Sequence, residues 1–304
     1  MDKENLYQEF VALMGEEHVF LEEPMKKHTS FKIGGPADLL VMPRTVEEIR
    51  QSVEICKKSK TPYFVMGNGS NLLVRDKGMR CVVIKIAENF NEVRFEGNHV
   101  IVQTGILLST LSNQIARACL KGFEFANGIP GTVGGAITMN AGAYGGEMKD
   151  VVKSCKVLNH QGEIIDLSLE ELELDYRTSI IQEKGYIALE VVLALQEGKY
   201  EEIRSIIDDL TVKRTTKQPL HLPCAGSVFK RPPGYFAGKL IQDCNLKGFK
   251  IGGAQVSELH SGFIVNIDNA SAADVLNLIA HIQKQVKEKF DVGLHNEVRV
   301  VGEV

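Results

Sequence analysis

Two stretches of the sequence combine glycine density with polar donors, the pattern that lets main-chain N–H groups approach an anionic ligand. Residues 122–146 read GFEFANGIPGTVGGAITMNAGAYGG, rich in Gly and Ala and almost free of charge. So much Gly is unsuited to a helix or strand interior, because each one loses more backbone freedom on ordering than any other residue. A flexible linker or a set of packed turns would share the composition. Phe123, Phe125, Ile129, Val133, Ile137 and Met139 are spaced for burial, which a linker is not, so a large cofactor against main chain is the leading expectation. The second stretch, Gly67-Asn68-Gly69-Ser70-Asn71-Leu72-Leu73-Val74, adds three polar side chains to a Gly-x-Gly turn. Its third fingerprint position is Leu72 and no helix-forming run follows, so a Rossmann site is a poor match and a phosphate nest a better one.

Three isolated polar residues complete the set with chemical potential. Arg177 follows Asp175-Tyr176, Ser227 follows Gly226, and Glu297 interrupts an apolar alternation. Each has an ordinary structural reading, as a surface cation, a turn serine and a solvent-facing acid. Basic residues gather around Pro219, Pro223, Pro232 and Pro233, namely Arg214, Lys217, Arg231 and Lys239.

The elements that position these residues follow from periodicity. Residues 2–14 suit an amphipathic helix, 37–42 a strand, and Thr45 with Glu48 a capping box ahead of a helix buried through Ile49, Val53 and Cys56. Residues 63–66, 81–86 and 98–103 read as strands, 107–120 as a helix capped by Gly122, and 151–158 and 186–195 as further strands. A helix over 200–213 turns Ile203, Ile206, Ile207 and Leu210 inward. Later come a strand at 262–267, a helix at 271–290 with a Ser271/Asp274 cap and a stripe from Val275 to Val286, and a last strand at 296–301 carrying Glu297.

With 304 residues the chain fits two or three domains, and a net charge of -4 offers no general basic face for nucleic acid. No signal segment or membrane-length apolar run is legible, which points to a soluble, cytoplasmic protein. The six cysteines are scattered without a Cys-x-x-Cys pair, so reduced and mostly buried thiols are expected, with no metal site.

Six motifs carry a resemblance across nearly the whole chain: Ser30-Phe31-Lys32-Ile33-Gly34-Gly35-Pro36-Ala37, the Gly67 loop, Gly128-Ile129-Pro130-Gly131-Thr132-Val133-Gly134-Gly135-Ala136, Tyr176-Arg177-Thr178-Ser179, Gly226-Ser227-Val228-Phe229-Lys230 and His295-Asn296-Glu297-Val298-Arg299. In these the chain resembles the UDP-N-acetylenolpyruvoylglucosamine reductase family, in its shorter form. The resemblance implies an α/β plus α+β protein: a two-part FAD-binding domain of the vanillyl-alcohol-oxidase (PCMH) type, followed by a smaller α+β substrate domain. The expected divisions are 1–98, 99–213 and 214–304.

It also implies the site. FAD would be held non-covalently by Gly67, Asn68, Gly69, Ser70 and Asn71 together with Gly128, Ile129, Pro130, Gly131, Thr132 and Gly134. NADPH would supply hydride, and UDP-N-acetylglucosamine enolpyruvate would be reduced to UDP-N-acetylmuramate for peptidoglycan synthesis. Arg177 would hold the substrate carboxylate, Ser227 would give a proton to C2, and Glu297 would act at the same end. Arg214, Lys217, Arg231, Lys239 and His260 would bind the substrate; Arg231 and His260 stand where the longer family form has Asn and Gln. A monomer is implied, with no nucleic-acid or membrane partner. The alternatives are an oxidase of a small alcohol or sugar on the same fold, which needs no Arg177, Ser227 and Glu297 combination, and a non-catalytic nucleotide-sugar binder.

Overall fold

The structure is a computed structural model that describes residues 2–304. Its contacts divide the chain into two units, neither continuous in sequence. One comprises the chain up to Leu21 with Leu39–Asn68 and Cys81–Arg214; the other comprises Glu22–Asp38, Gly69–Arg80 and Thr215–Val304. The three consecutive segments anticipated from sequence therefore differ from the observed grouping, except near residue 214. The physical reason is that residues 22–38 and 69–80 are turn-rich and find their packing partners far along the chain.

In the first unit, helix Lys3–Met14 buries Leu6, Phe10 and Met14, and helix Val46–Lys58 buries Ile49, Val53 and Cys56 behind its Thr45 cap. Thr45 accepts from the Glu48 N–H at 3.0 Å, the bond that the sequence pattern called for. Strand Tyr63–Met66 pairs in parallel with Met79–Lys85, in a sheet ordered Val19–Pro24, Pro36–Val41, Met79–Lys85, Tyr63–Met66. The larger sheet of this unit is antiparallel, ordered Ile164–Ser168, Val152–Leu158, Ile187–Ala194, His99–Gln103, Val93–Glu96. Its apolar face is covered by helix Leu108–Arg117 and the Gly-rich segment, with Leu111, Phe123, Val133, Ile137 and Val191 fully buried in one cluster.

Two helix readings need correction here. The helix at 108 stops at Arg117, and Cys119, with φ +56°, takes the left-handed position ahead of strand Leu120–Lys121. Gly122 is thus not its cap. Helix Tyr200–Lys217 buries Ile203 and Ile207 but leaves Ile206 48% exposed, so its apolar stripe is narrower than the sequence suggested. Cys119 is exposed and Cys56, Cys81 and Cys155 are buried. Burial pushes the Cys56 thiol up to about 12.

In the second unit, helix Ala272–Phe290 buries Val275, Leu278, Ile279, Ile282 and Val286 within a cluster that includes Ala254, Val256 and Ile264 of a small antiparallel sheet. Its start is doubly capped: Ser271 and Asp274 form the capping box, and Asp76 accepts from the Ala272 and Ala273 N–H groups at 2.7 and 3.0 Å. Strand Arg299–Val301 pairs in parallel with Leu72–Val74. Glu297 lies two residues ahead of that strand rather than inside it, a correction to the expected strand at 296–301. The Gly34-Gly35-Pro36 motif is explained by close backbone approach: a Cβ on Gly35 would lie 2.1 Å from the Asp76 carbonyl oxygen.

Candidate active site

The two glycine-rich loops meet inside the first unit. A Cβ on Gly67 would fall 2.2 Å from Thr132 Oγ1, so only Gly allows this approach. Thr132 is itself buried, caps the short helix Val133–Thr138 and bridges to Leu107. Beside this contact Asn68 lines a cavity of about 170 Å³ together with Ala87, Glu88, Asn91, Gly105, Ile106, Leu107 and Thr110. Glu88, Asn91 and Thr110 were not singled out in the sequence, since nothing in their spacing ties them to the loops.

The second loop offers fewer N–H donors than its composition promised. The Val133 N–H donates to the Ile106 carbonyl at 2.9 Å and the Gly134 N–H to the Thr104 carbonyl at 2.8 Å. The Gly134 N–H is thus engaged with main chain, and a Cβ on Gly134 would lie 3.0 Å from Thr104 Cβ. Gly131 has φ +127° and Gly69 φ +63°, conformations that favour glycine. Ile129 is half-buried and Pro130 exposed just ahead of Gly131.

For an FAD the fit is good in kind. Asn68 borders the cavity, Gly67 and Gly128 are closely approached by Thr132 and Arg214, and a cation thereby lies beside the loop: Arg214 Cδ would be 2.6 Å from a Cβ on Gly128, with its Nη1 at 3.4 Å. Arg214, expected at the substrate, thus lies against the glycine loop.

Arg177 sits in the first unit on a tight turn. The Asp175 and Thr178 N–H groups donate to each other's carbonyls at 3.3 and 3.2 Å, enclosing Tyr176 and Arg177. Arg177 has φ +57°, rare for a residue with a side chain and more common at functional positions. Its guanidinium carbon lies 5.2 Å from the centre of the Tyr176 ring, and Tyr176 is half exposed.

Ser227 and Glu297 sit in the second unit on neighbouring, paired backbone segments. The Glu297 N–H donates to the Val228 carbonyl at 2.7 Å, the Val228 N–H donates to the Gly262 carbonyl at 2.9 Å, and the Lys230 N–H to the His295 carbonyl at 2.8 Å. Ser227 bridges Phe263 and Phe229 bridges Asn296. Gly226 precedes Ser227 with φ +74°, and since no atom crowds its Cβ position, conformation alone requires glycine there. Asn71 Nδ2 donates to the Glu297 carbonyl at 3.2 Å and the Arg299 N–H donates to the Asn71 carbonyl at 3.0 Å. The Asn71 amide, expected on the cofactor, is therefore engaged with the Glu297 segment; Ser70 beside it is half-buried.

The remaining substrate candidates divide. Lys217 and Arg231 are exposed, the latter with its guanidinium 4.0 Å from the Phe236 ring centre. Lys239 is paired with Asp243 one turn along its helix. His260 Nδ1 accepts from the Gly262 N–H at 3.1 Å, which leaves Nε2 to carry the proton. Burial, with a smaller contribution from the Lys247 ammonium, holds its imidazole below the usual value. Among the described residues no cluster of three or more His, Cys, Asp or Glu could hold a metal, and no helix is long and apolar enough to cross a membrane.

Comparison with known proteins matches two parts of the chain. Residues 37–168 match an FAD binding domain, and residues 218–301 match the C-terminal domain of UDP-N-acetylenolpyruvoylglucosamine reductase. The UDP-N-acetylenolpyruvoylglucosamine reductase of Alkaliphilus oremlandii is 64% identical over 303 residues, covering 100% of both chains. That of Clostridioides difficile is 52% identical over the same extent. The crystal structure of the Thermus caldophilus reductase superposes with a TM-score of 0.79 at 38% identity, covering 93% of this chain and 97% of the other.

Proposed function

This chain belongs to the UDP-N-acetylenolpyruvoylglucosamine reductase family, and from that premise we propose how its residues divide the work. It is an FAD-dependent oxidoreductase of the PCMH-type fold that reduces the enolpyruvyl ether of UDP-N-acetylglucosamine to UDP-N-acetylmuramate, a peptidoglycan precursor. The bound FAD supplies the carrier that takes hydride from a nicotinamide and passes it to the alkene. We assign NADPH as the donor, non-covalent attachment to the flavin, and a cytoplasmic monomer as the working form.

Gly67, Asn68, Gly69 and Ser70, with Gly128 to Thr132, line the flavin, and Gly134 lets that loop pack closely. Arg214 presents a cation to the same loop. Arg177 holds the substrate carboxylate, where negative charge grows as hydride reaches C3; a guanidinium suits this because it stays charged and offers two parallel donors. Ser227 gives its hydroxyl proton to C2. A serine hydroxyl is a weak acid in water, so the transfer depends on the charge building on the substrate and on a fixed direction of approach. Glu297 acts on the same carboxyl end. Lys217, Arg231, Lys239 and His260 bind the nucleotide diphosphate and sugar, His260 as a neutral donor through Nε2.

The observation that supports this reading most directly is the 2.7 Å bond from the Glu297 N–H to the Val228 carbonyl, which pairs the backbone segment carrying the proposed carboxylate with the one carrying the proposed proton donor. An alcohol oxidase on the same fold would need no such combination of Arg177, Ser227 and Glu297. The test is the visible spectrum of the purified protein under anaerobic conditions. Bleaching by NADPH followed by recovery of the yellow colour on adding the enolpyruvyl ether is expected. Recovery with oxygen alone, and none with the ether, would place the protein with the oxidases.

A further inference from the structure

Asn140 lies within the glycine-rich segment and is buried completely, with a left-handed φ of +44°. Every hydrogen-bonding group of its amide is used. Oδ1 accepts from the Lys149 N–H at 3.0 Å, while Nδ2 donates to Glu147 Oε2 at 3.0 Å and to the Asp175 carbonyl at 3.3 Å. The Lys149 contact fixes which end of the amide is oxygen, since a backbone N–H can only donate. Asp175 is the first residue of the turn that carries Arg177. The other end of that turn is held in the same way: Ser179, also fully buried, donates from Oγ to the Thr138 carbonyl at 2.6 Å and caps helix Ile180–Lys184.

We propose that Asn140 is a positioning residue for Arg177, fixing the direction of its guanidinium through the Asp175 carbonyl, with Ser179 as the second support of the same turn. The inference rests on the role given to Arg177 above. The reciprocal Asp175–Thr178 bonds enclose Arg177, whose left-handed backbone is uphill for a residue with a Cβ. Two buried side-chain bonds on the flanking residues remove the alternative in which the turn relaxes and the guanidinium swings off the substrate carboxylate. Asparagine meets both demands at position 140, tolerating positive φ and donating twice; aspartate would face the Glu147 carboxylate and the Asp175 carbonyl with no donor of its own.

The decisive variant is Asn140→Gly in the holoenzyme, because Gly accepts φ +44° without strain and lacks only the amide. Anaerobic stopped-flow should show flavin content and reduction by NADPH within about twofold of the parent, with reoxidation by the enolpyruvyl ether slowed about tenfold to a hundredfold, the order expected for a misplacement near 1 Å. Calorimetry on the oxidised protein should show weaker binding of UDP-N-acetylmuramate. Ser179→Ala should give the same split to a smaller degree, and serves if Asn140→Gly folds poorly. In an Arg177→Ala background Asn140→Gly should cost nothing further, because the two act as one unit. Equal slowing of both halves, loss of flavin, or a full additional loss in the Arg177→Ala background overturns the inference and leaves Asn140 a support of the cofactor loop. A slow Arg177→Ala with an unaffected Asn140→Gly overturns the inference alone. An Arg177→Ala protein that reoxidises at the parent rate overturns the role of Arg177 and the inference with it.

Discussion

The seat of Arg177 and the seat of Ser227 and Glu297 are built on different principles. Ser227 and Glu297 hang mainly from main-chain bonds, which involve the Val228, Gly262 and His295 carbonyls, with the Asn71 amide adding one side-chain bond to the Glu297 carbonyl. Arg177 stands on a two-residue turn with a left-handed backbone, held at both ends by buried side chains, Asn140 and Ser179. A main-chain ladder survives substitution of the residues it carries, whereas a turn held by side chains depends on the identity of residues that never meet the substrate. The difference suits the proposed tasks: a proton donor needs one fixed line of approach, and a cation that clamps a carboxylate needs its whole fork oriented.

The sharpest way to test the contrast is Ser227→Ala. Because the ladder is main chain, the fold and the flavin site should be untouched, and reduction by NADPH should proceed at the parent rate. Reoxidation by the enolpyruvyl ether should fall by roughly 10²–10⁴-fold, the usual loss when a positioned general acid is removed. Stopped-flow absorbance separates the two, and parental reoxidation would remove Ser227 from its assigned role.

Arg177→Lys should come next in size. An ammonium keeps the charge but not the two-pronged contact, so a loss of about 1.5–3 kcal/mol is expected, in reoxidation and not in reduction. If Lys restored most of what Ala loses, charge alone would matter and the orientation imposed by the turn would be irrelevant.

Gly67→Ala probes the loop contact proposed for the flavin. Its Cβ would meet Thr132 Oγ1 at 2.2 Å, so the loop must shift at a cost of about 1–3 kcal/mol. Flavin-to-protein ratio after gel filtration should drop, with both half-reactions per bound flavin nearly normal. Retention of a full complement of flavin would show that the Gly67–Thr132 approach is a packing matter only.

The smallest effect concerns His260. Its folded value is depressed, so the unfolded chain takes up a proton on this group as pH falls through about 6.5 while the folded protein does not. Stability is therefore lost as pH falls below that value. His260→Gln should remove this contribution, and the melting temperature of the variant relative to the parent should rise between pH 7.5 and 5.5. A pH-independent difference would mean that the imidazole is not held neutral.

How far each seat was legible in the sequence follows from the same contrast. The Gly226-Ser227 and Asn296-Glu297 motifs could be found because a turn glycine and a charged residue in an apolar run leave local marks. Asn140 left almost none, being one amide in an apolar, glycine-rich run whose partners lie 7, 9 and 35 residues away. Asn71 was noticed, but as a ligand of the cofactor; that its amide reaches the Glu297 carbonyl, 226 residues on, is invisible to spacing.

By itself the sequence determined the elements whose causes are local. Helix Val46–Lys58 and helix Ala272–Phe290 begin at their capping residues and bury the stripes that periodicity marks, because a cap and a 3.6-residue repeat act within a few turns of chain. The close approaches at Gly35 and Gly67 were likewise marked by glycine, though not their partners. Tertiary structure alone decided the rest: that residues 22–38 and 69–80 group with the C-terminal part, that Ile206 stays in solvent, that Cys119 and not Gly122 turns the chain, and that Glu297 stands outside the last strand. In each case the deciding term is a contact between segments distant in sequence, and the energy of such a contact depends on both partners while a motif records only one.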